Sequence, residues 1–149
     1  MKKVLTIVIA LLAVLYAGAL AITIDPEEQR PGTRLSGTPV DEANPDWSFM
    51  TDQQKVWLQV NTWYQIPHSI TTISFVIDGE LYIPCGWCDT KRWPKLVADD
   101  PNVTVKIGDK LYRRTAVKVN DEAFKQSLFN APGAPEIPGV ELYRMDPPI

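Results

Sequence analysis

The first 24 residues constrain this chain most, because they contain an uncharged run long enough to cross a lipid bilayer. Lys2 and Lys3 precede residues 4–24, and no charged side chain interrupts that run. At about 1.5 Å per helical residue, the run spans roughly 30 Å, the thickness of the hydrocarbon core. Lysines before such a segment keep the N-terminus in the cytoplasm. We therefore predict a single-pass protein of a bacterial-type inner membrane, anchored through residues 4–24, with a periplasmic C-terminal domain.

A cleaved signal peptide is the alternative for this segment. Residues 17–19 (Ala-Gly-Ala) and 19–21 (Ala-Leu-Ala) each supply the small residues at which a signal peptide is cut. The apolar run continues to Ile24, however, whereas a signal peptide needs only about 7–15 apolar residues. A retained anchor is therefore favoured. The run is not followed by a cysteine, which excludes a lipid-modified N-terminus, and it carries no twin-arginine signal.

The rest of the chain is long enough for one domain with a single core. Residues 25–46 are rich in proline and glycine and predict an extended linker, which leaves residues 47–149 as the domain. A net charge of −3 without an arginine-rich tract excludes nucleic-acid binding. Basic residues predominate between Lys91 and Lys118. This excess indicates either an ordinary solvated surface or a site for a phosphate-bearing ligand.

The start of the domain predicts a helix of about a dozen residues. Thr51 and Gln54 have the spacing of a capping box, and Pro67 marks a stop. Between them, apolar residues recur at helical spacing, at Val56, Trp57, Val60 and Tyr64. We expect this aromatic stripe to belong to the core.

The later residues predict five strands and two helices. Strands are expected over residues 70–77, 80–83, 102–107, 110–119 and 140–145, with tight turns at Asp78-Gly79 and Gly108-Asp109. Helices are expected over residues 92–99 and, capped by Asn120, over residues 121–129, with a proline-rich loop at 132–138. The predicted fold class is mainly β with peripheral helices (α+β), as a small antiparallel barrel preceded by one transmembrane helix.

Several segments carry a resemblance to a known superfamily. They are Asp78-Gly79-Glu80-Leu81-Tyr82-Ile83-Pro84, Lys91-Arg92-Trp93-Pro94-Lys95, Asp100-Pro101-Asn102-Val103 and Leu142-Tyr143-Arg144-Met145-Asp146-Pro147. Their order and content resemble the FMN-binding split β-barrel superfamily, which includes pyridoxamine-phosphate-oxidase-like and deazaflavin-dependent nitroreductase-like proteins. The likeness covers residues 70–147. It implies a split barrel, a flavin-dependent oxidoreductase type of activity if the chain is an enzyme, and FMN as the cofactor.

The resemblance also implies which residues touch the cofactor. Flavin phosphate would lie at Lys91, Arg92 and Lys95, whose donors suit phosphate oxygens. Hydrogen bonds to the ring or ribityl groups would come from Thr71, Thr72 and Ser74. Alternatively, Lys91 and Lys95 lie four residues apart on a helix and are simply solvated. Export adds a difficulty, because a chain threaded unfolded across the membrane arrives without flavin loaded in the cytosol. Split barrels often build their site across a homodimer.

Cys85-Gly86-Trp87-Cys88 is the sharpest local motif, and it holds both cysteines of the chain. In an oxidising compartment the pair predicts a structural disulfide between Cys85 and Cys88. A redox-active dithiol is a second interpretation, and half of a metal site is a third. No metal is expected, since the only other soft ligand is His68, which is more typical of a surface or capping histidine than of a general base.

Three functions therefore follow from the sequence. The first is a membrane-anchored, exported split-barrel domain related to flavin-dependent reductases, which binds FMN or a similar phosphate-bearing cofactor. The second is a non-catalytic accessory module that docks on a membrane-protein partner. Exposed tryptophans would favour docking, and Trp47, Trp87 and Trp93 lie in or beside predicted loops. The third is a thiol-disulfide oxidoreductase that uses Cys85 and Cys88.

Overall fold

The computed structural model describes residues 2–51, 53–129 and 138–149. Its three helices are α1 (Lys2–Ala21), α2 (Trp93–Asp99) and α3 (Glu122–Phe129), and its strands are β1 (Thr38–Val40), β2 (Gln54–Val60), β3 (His68–Ile77), β4 (Glu80–Cys85), β5 (Asn102–Ile107), β6 (Lys110–Lys118) and β7 (Glu141–Asp146). α1 has no buried residue and is exposed up to Gly18, and it is apolar enough to be a membrane span or a signal sequence.

Six strands close into an antiparallel barrel in the order β6-β5-β2-β3-β4-β7, and β7 pairs back onto β6. β1 extends the sheet outside this barrel as a parallel neighbour of β6. The predicted antiparallel barrel with peripheral helices is therefore confirmed. The turn between β3 and β4 has positive φ at both Asp78 and Gly79, the geometry that Asp-Gly favours in two-residue hairpins.

The prediction of a helix after Thr51 is wrong, because this segment forms the central strand β2. Val56, Leu58 and Val60 alternate into the barrel and are fully buried. β2 pairs with β3 on one side and with β5 on the other. These pairs satisfy its backbone hydrogen bonds on both edges, so tertiary pairing overrides the local helical spacing.

Two further details differ from the sequence prediction. Asp121, and not Asn120, caps α3, since the Asp121 carboxylate accepts a hydrogen bond from the Phe124 backbone amide at 3.0 Å. The predicted proline-rich loop lies outside the described residues except for Pro138, whose carbonyl accepts a bond from the Trp87 amide.

Residues 22–36, which we call the strap, lie along the outside of the barrel. Gly32 and Ser69 exchange two backbone hydrogen bonds, of 2.8 and 3.1 Å, and Leu35 within the strap is buried. The Trp57 indole donates to the Pro26 carbonyl at 3.0 Å. The segment expected to be an extended linker thus packs on the barrel, first through the strap and then through the pairing of β1 with β6.

A buried ion pair holds the strap to the barrel. The Lys106 ammonium lies 2.6 Å from the Asp25 carboxylate and 3.1 Å from the Ser36 hydroxyl. Burial alone raises the pKa of Asp25, but hydrogen bonds from Lys106 and Ser36 outweigh it and hold this pKa below its ordinary value of 3.8. The charged form of Asp25 therefore stabilises the folded protein.

Asp25→Asn is expected to lower the free energy of unfolding by roughly 1–3 kcal/mol at pH 7, because buried Lys106 loses its counter-charge. Since the folded pKa is the lower one, the stabilisation is complete above about pH 4 and disappears as the pH falls through the folded pKa. Urea unfolding at pH 7 and at acid pH measures both effects. Asp41→Asn is the control, since Asp41 pairs with Arg113 at 3.6 Å on an exposed surface. An equal loss in both variants contradicts the assignment.

Candidate functional site

A group of exposed bases surrounds the start of α2, and we call it the basic cluster: Lys91, Arg92 and Lys95. The helix begins at Trp93 with Pro94 in its first turn, where a missing amide costs nothing. Trp93 is buried against Tyr143, with ring centroids 4.8 Å apart, and this packing fixes the helix start. Among the described residues, no ion pair involves any member of the basic cluster.

Arg92 is held by an aromatic neighbour. Its Nη2 donates to the Tyr64 hydroxyl at 2.6 Å, and its guanidinium lies 5.8 Å from the Tyr64 ring centroid. His68 lies half-buried at the start of β3, close enough for the positive charge of Arg92 to affect its pKa. Burial, and secondarily the charge of Arg92, lower the pKa of His68, so its imidazole is neutral near pH 7.

The three hydroxyl residues predicted to contact a cofactor do not share one surface. Paired residues on neighbouring strands point to the same face. Thr72 pairs with buried Val56, so Thr72 and, two residues on, Ser74 face the barrel interior. Thr71 faces outward instead. Ser74 is buried and donates to the Gln54 carbonyl at 3.3 Å, and Thr71 reaches the Pro26 carbonyl at 3.5 Å.

A groove between the strap and β2 was missed by the sequence analysis. It has a volume of about 920 Å³ and is lined by Pro26, Glu27, Glu28, Gln29, Arg30, Lys55 and Trp57. The Trp57 side chain lines this groove, and the Lys55 and Lys106 ammonium groups lie 5.9 and 5.4 Å from the Trp57 ring centroid. The groove is open to solvent and is not an enclosed cavity. Lys55 and Trp57 are two residues apart, a spacing that places both on one face of a strand. The prediction of a helix over these residues hid this signal.

The geometry of the cysteine loop fits a disulfide between Cys85 and Cys88. The Cys85 and Cys88 sulfur atoms are within bonding distance, their Cα atoms are 5.3 Å apart, and both residues are buried. Cys85 ends β4 and Cys88 begins a short 3-10 turn, so neither lies at an α-helix N-terminus. A nucleophilic cysteine needs an accessible, activated thiolate. Within the residues that the structure describes, no cluster of three or more His, Cys, Asp or Glu side chains could hold a metal ion.

The three tryptophans in or beside the predicted loops differ in exposure. Trp47 and Trp93 are buried, so they do not favour docking. Trp47 packs edge-on against Tyr112 with ring centroids 5.0 Å apart, which removes it from the solvent. Trp87 is 56% exposed. Trp63, which the sequence analysis did not single out, is 91% exposed.

Two solved structures resemble this barrel. General stress protein 26 from Bacillus anthracis matches with a TM-score of 0.51 and 23% identity, over 64% of this chain and 80% of that chain. A protein from Listeria innocua assigned as a pyridoxamine 5'-phosphate oxidase matches with a TM-score of 0.53 and 21% identity, over 64% of this chain and 85% of that chain. The chain has the split-barrel fold. No protein-family model and no curated protein matches the sequence.

The resemblance inferred from residues 78–84, 91–95 and 100–103 is thus confirmed for the fold. The structure places the three bases of the basic cluster next to one another in the chain at the start of α2, but not on one helix. Lys91 has extended backbone before α2, Arg92 precedes the first helical residue, and Lys95 lies in the first turn. The expectation that Lys91 and Lys95 lie four residues apart on a helix is therefore wrong. The hydroxyl groups predicted for the ring end are not gathered, since Thr71 lies on the opposite face of β3 from Thr72 and Ser74.

Proposed function

We propose that this chain is a membrane-anchored split-barrel domain that binds FMN or a similar phosphate-bearing cofactor. The observation that carries the proposal is the split-barrel fold, shared with a solved protein that is assigned as a pyridoxamine 5'-phosphate oxidase. α1, exposed and apolar, supports the anchor, and Lys2 and Lys3 support a cytoplasmic N-terminus with the barrel on the far side.

In this proposal the basic cluster binds the phosphate. Lys91 and Lys95 supply freely rotating ammonium donors, whereas Arg92 divides its donors between the phosphate and the Tyr64 hydroxyl. Phosphate is a dianion near neutral pH, so three cations at one helix start supply the charge that it needs. The groove over Trp57, flanked by Lys55 and Arg30, is a second place at which a planar ring could lie.

The test is a fluorescence titration of FMN against the full-length protein and a variant that carries both Lys91→Ala and Lys95→Ala. The double variant is expected to bind FMN at least about tenfold more weakly, which corresponds to the loss of about 1.4 kcal/mol of charge-assisted hydrogen bonding. Lys110→Ala is the control: it removes an exposed lysine at the first residue of β6, outside the basic cluster, and should leave the affinity for FMN unchanged. Equal dissociation constants for all three proteins would refute the phosphate site.

We also propose that Cys85 and Cys88 form a structural disulfide. Its support is the short Cα separation, the burial of both sulfurs, and the Trp87 and Cys88 amides that donate to the Pro138 and Gly139 carbonyls. Burial of both sulfurs disfavours a thiol-disulfide oxidoreductase.

A non-catalytic docking module is the second candidate function. Trp87 favours it, because this side chain is 56% exposed at the tip of the cysteine loop, at a backbone φ of 49°. An exposed tryptophan on a fixed loop is a typical interface anchor. A protein that does not bind FMN at all, but whose purification from membranes with a partner protein depends on Trp87, would favour this function over cofactor binding.

A further inference from the structure

We propose that the loop between β2 and β3, residues 61–67, seats the barrel on the lipid surface of the bilayer that α1 enters, with Trp63 in the interfacial layer. The inference rests on the membrane anchor of the proposed function. It does not depend on cofactor binding.

The first observation is the position of the loop beside α1. The Tyr16 hydroxyl donates to the Tyr64 carbonyl at 2.8 Å. Tyr16 lies five residues before Ala21, the last residue of α1, which is about 7.5 Å along the helix axis. The loop therefore lies beside the final turns of α1 and not beyond its end. If α1 crosses the bilayer as far as Ala21, the loop lies about 7.5 Å inside the far end of the span, within the roughly 5–10 Å to which interfacial elements enter the boundary between headgroups and acyl chains.

A second set of bonds ties the strap to the end of α1. The Thr33 hydroxyl donates to the Ile22 carbonyl at 3.0 Å, and Arg34 Nη2 reaches the Leu20 carbonyl at 3.4 Å. Because the strap is also bonded to β3 through Gly32 and Ser69, the helix end is tied to the barrel at two places. This double connection sets the orientation of the barrel relative to α1.

The loop is held in one shape. The Thr62 hydroxyl donates to the Ile66 carbonyl at 2.7 Å, and the Gln65 amide donates to the Thr62 carbonyl at 3.0 Å. Arg92 fixes the Tyr64 side chain from the other side. Trp63 stands edge-on to Tyr64, with ring centroids 5.3 Å apart, and projects away from the barrel at 91% exposure. The fold thus presents one bare indole at the level of the last helical turns.

The chemistry of this surface matches a phospholipid interface. Tryptophan and tyrosine are the residues that concentrate where membrane meets water, because one part of each ring is apolar and another donates a hydrogen bond. Arg34 and Arg92 flank the loop, and guanidinium groups bind lipid phosphates well. Asp100 also borders the loop, where it accepts a hydrogen bond from the Asn61 side-chain amide at 2.8 Å. The charge around Trp63 is therefore favourable for an anionic membrane.

The experiment uses the full chain reconstituted into vesicles of phosphatidylcholine and phosphatidylglycerol, with bromine on the acyl carbons nearest the headgroups. Bromine quenches only tryptophans at that depth. We expect the wild-type protein to be quenched, and Trp63→Phe to lose most of the bromine-dependent quenching. Trp63 makes few contacts, so phenylalanine should leave the fold intact. Trp87→Phe is the matched control, since it removes the other strongly exposed tryptophan and should keep the quenching.

Equal quenching of wild type and Trp63→Phe overturns the inference, as does loss of quenching in Trp87→Phe alone. If neither bromine nor aqueous acrylamide quenches the fluorescence of Trp63, the inference is also overturned, since another protein or a second copy of the chain then covers the loop. Flotation of the vesicles separates this failure from failure of the anchor: a chain that does not float with lipid refutes the anchor and this inference together. FMN titration in the same vesicles reports on cofactor binding independently.

Discussion

Leu58→Ala is expected to lower the free energy of unfolding by about 2–5 kcal/mol, because it leaves a cavity at the centre of the barrel. Leu58 is fully buried on β2 and pairs with Ile70 on β3 and with Val105 on β5. The substitution also distinguishes strand from helix. The helical interpretation places Trp57 in the core and leaves Leu58 out of it, whereas the strand buries Leu58.

Chemical denaturation of the detergent-solubilised full chain measures this loss. Ile73→Ala is the matched control, since it removes a side chain of the same size from the outer face of β3, where Ile73 is 44% exposed. It should cost much less than Leu58→Ala. If the two variants unfold at the same denaturant concentration, β2 does not lie at the centre of the barrel.

Gly32→Ala is expected to detach the strap from the barrel or to cost about 1–3 kcal/mol through overpacking. A Cβ at this position would overlap the Ile24 carbonyl, the Ser69 hydroxyl and the Pro26 nitrogen, and two of these atoms belong to backbone. The backbone bonds between Gly32 and Ser69 cannot then keep their present lengths.

Hydrogen exchange at residues 24–36 and tryptic cleavage after Arg34 should both accelerate in this variant. Gly18→Ala is the control, because a Cβ there meets nothing within 4 Å. A strap that stays protected in Gly32→Ala to the same degree as in the wild type contradicts the close packing described above.

The hairpins were predictable from local signals. β-branched residues, together with Asp78-Gly79 and Gly108-Asp109, define two pairs of strands, and the structure places all four strands close to the predicted ranges. These turns are encoded locally, since only particular residues adopt their backbone angles readily.

β2 was not predictable in the same way. The Thr51 backbone amide does donate to the Gln54 side-chain oxygen at 3.4 Å, so the contact expected at a helix start is present but leads into a strand. Val56 and Val60 satisfy helical spacing and strand alternation equally. Only pairing with β3 and with β5, the latter distant in sequence, decides between them.

The candidate site, like the fold, was predictable only in part. The basic cluster was proposed as a phosphate site through the resemblance to split barrels, which pointed to the short basic helix at residues 91–95. The hydrogen bond from Arg92 to the Tyr64 hydroxyl was not predictable, because the local spacing places Tyr64 on a helix and the two residues meet only in the closed barrel. The groove over Trp57 depends on the strap, whose proline and glycine content predicts a lack of regular structure but not where the segment packs.

The most direct test of the central claim is an absorbance spectrum. The full chain is extracted from membranes, incubated with FMN and passed through a desalting column before the spectrum is recorded. We expect a flavin spectrum to elute with the protein, and to be lost when Lys91 and Lys95 are both alanine. A colourless protein fraction, with all of the FMN retained on the column, would contradict cofactor binding by this split barrel.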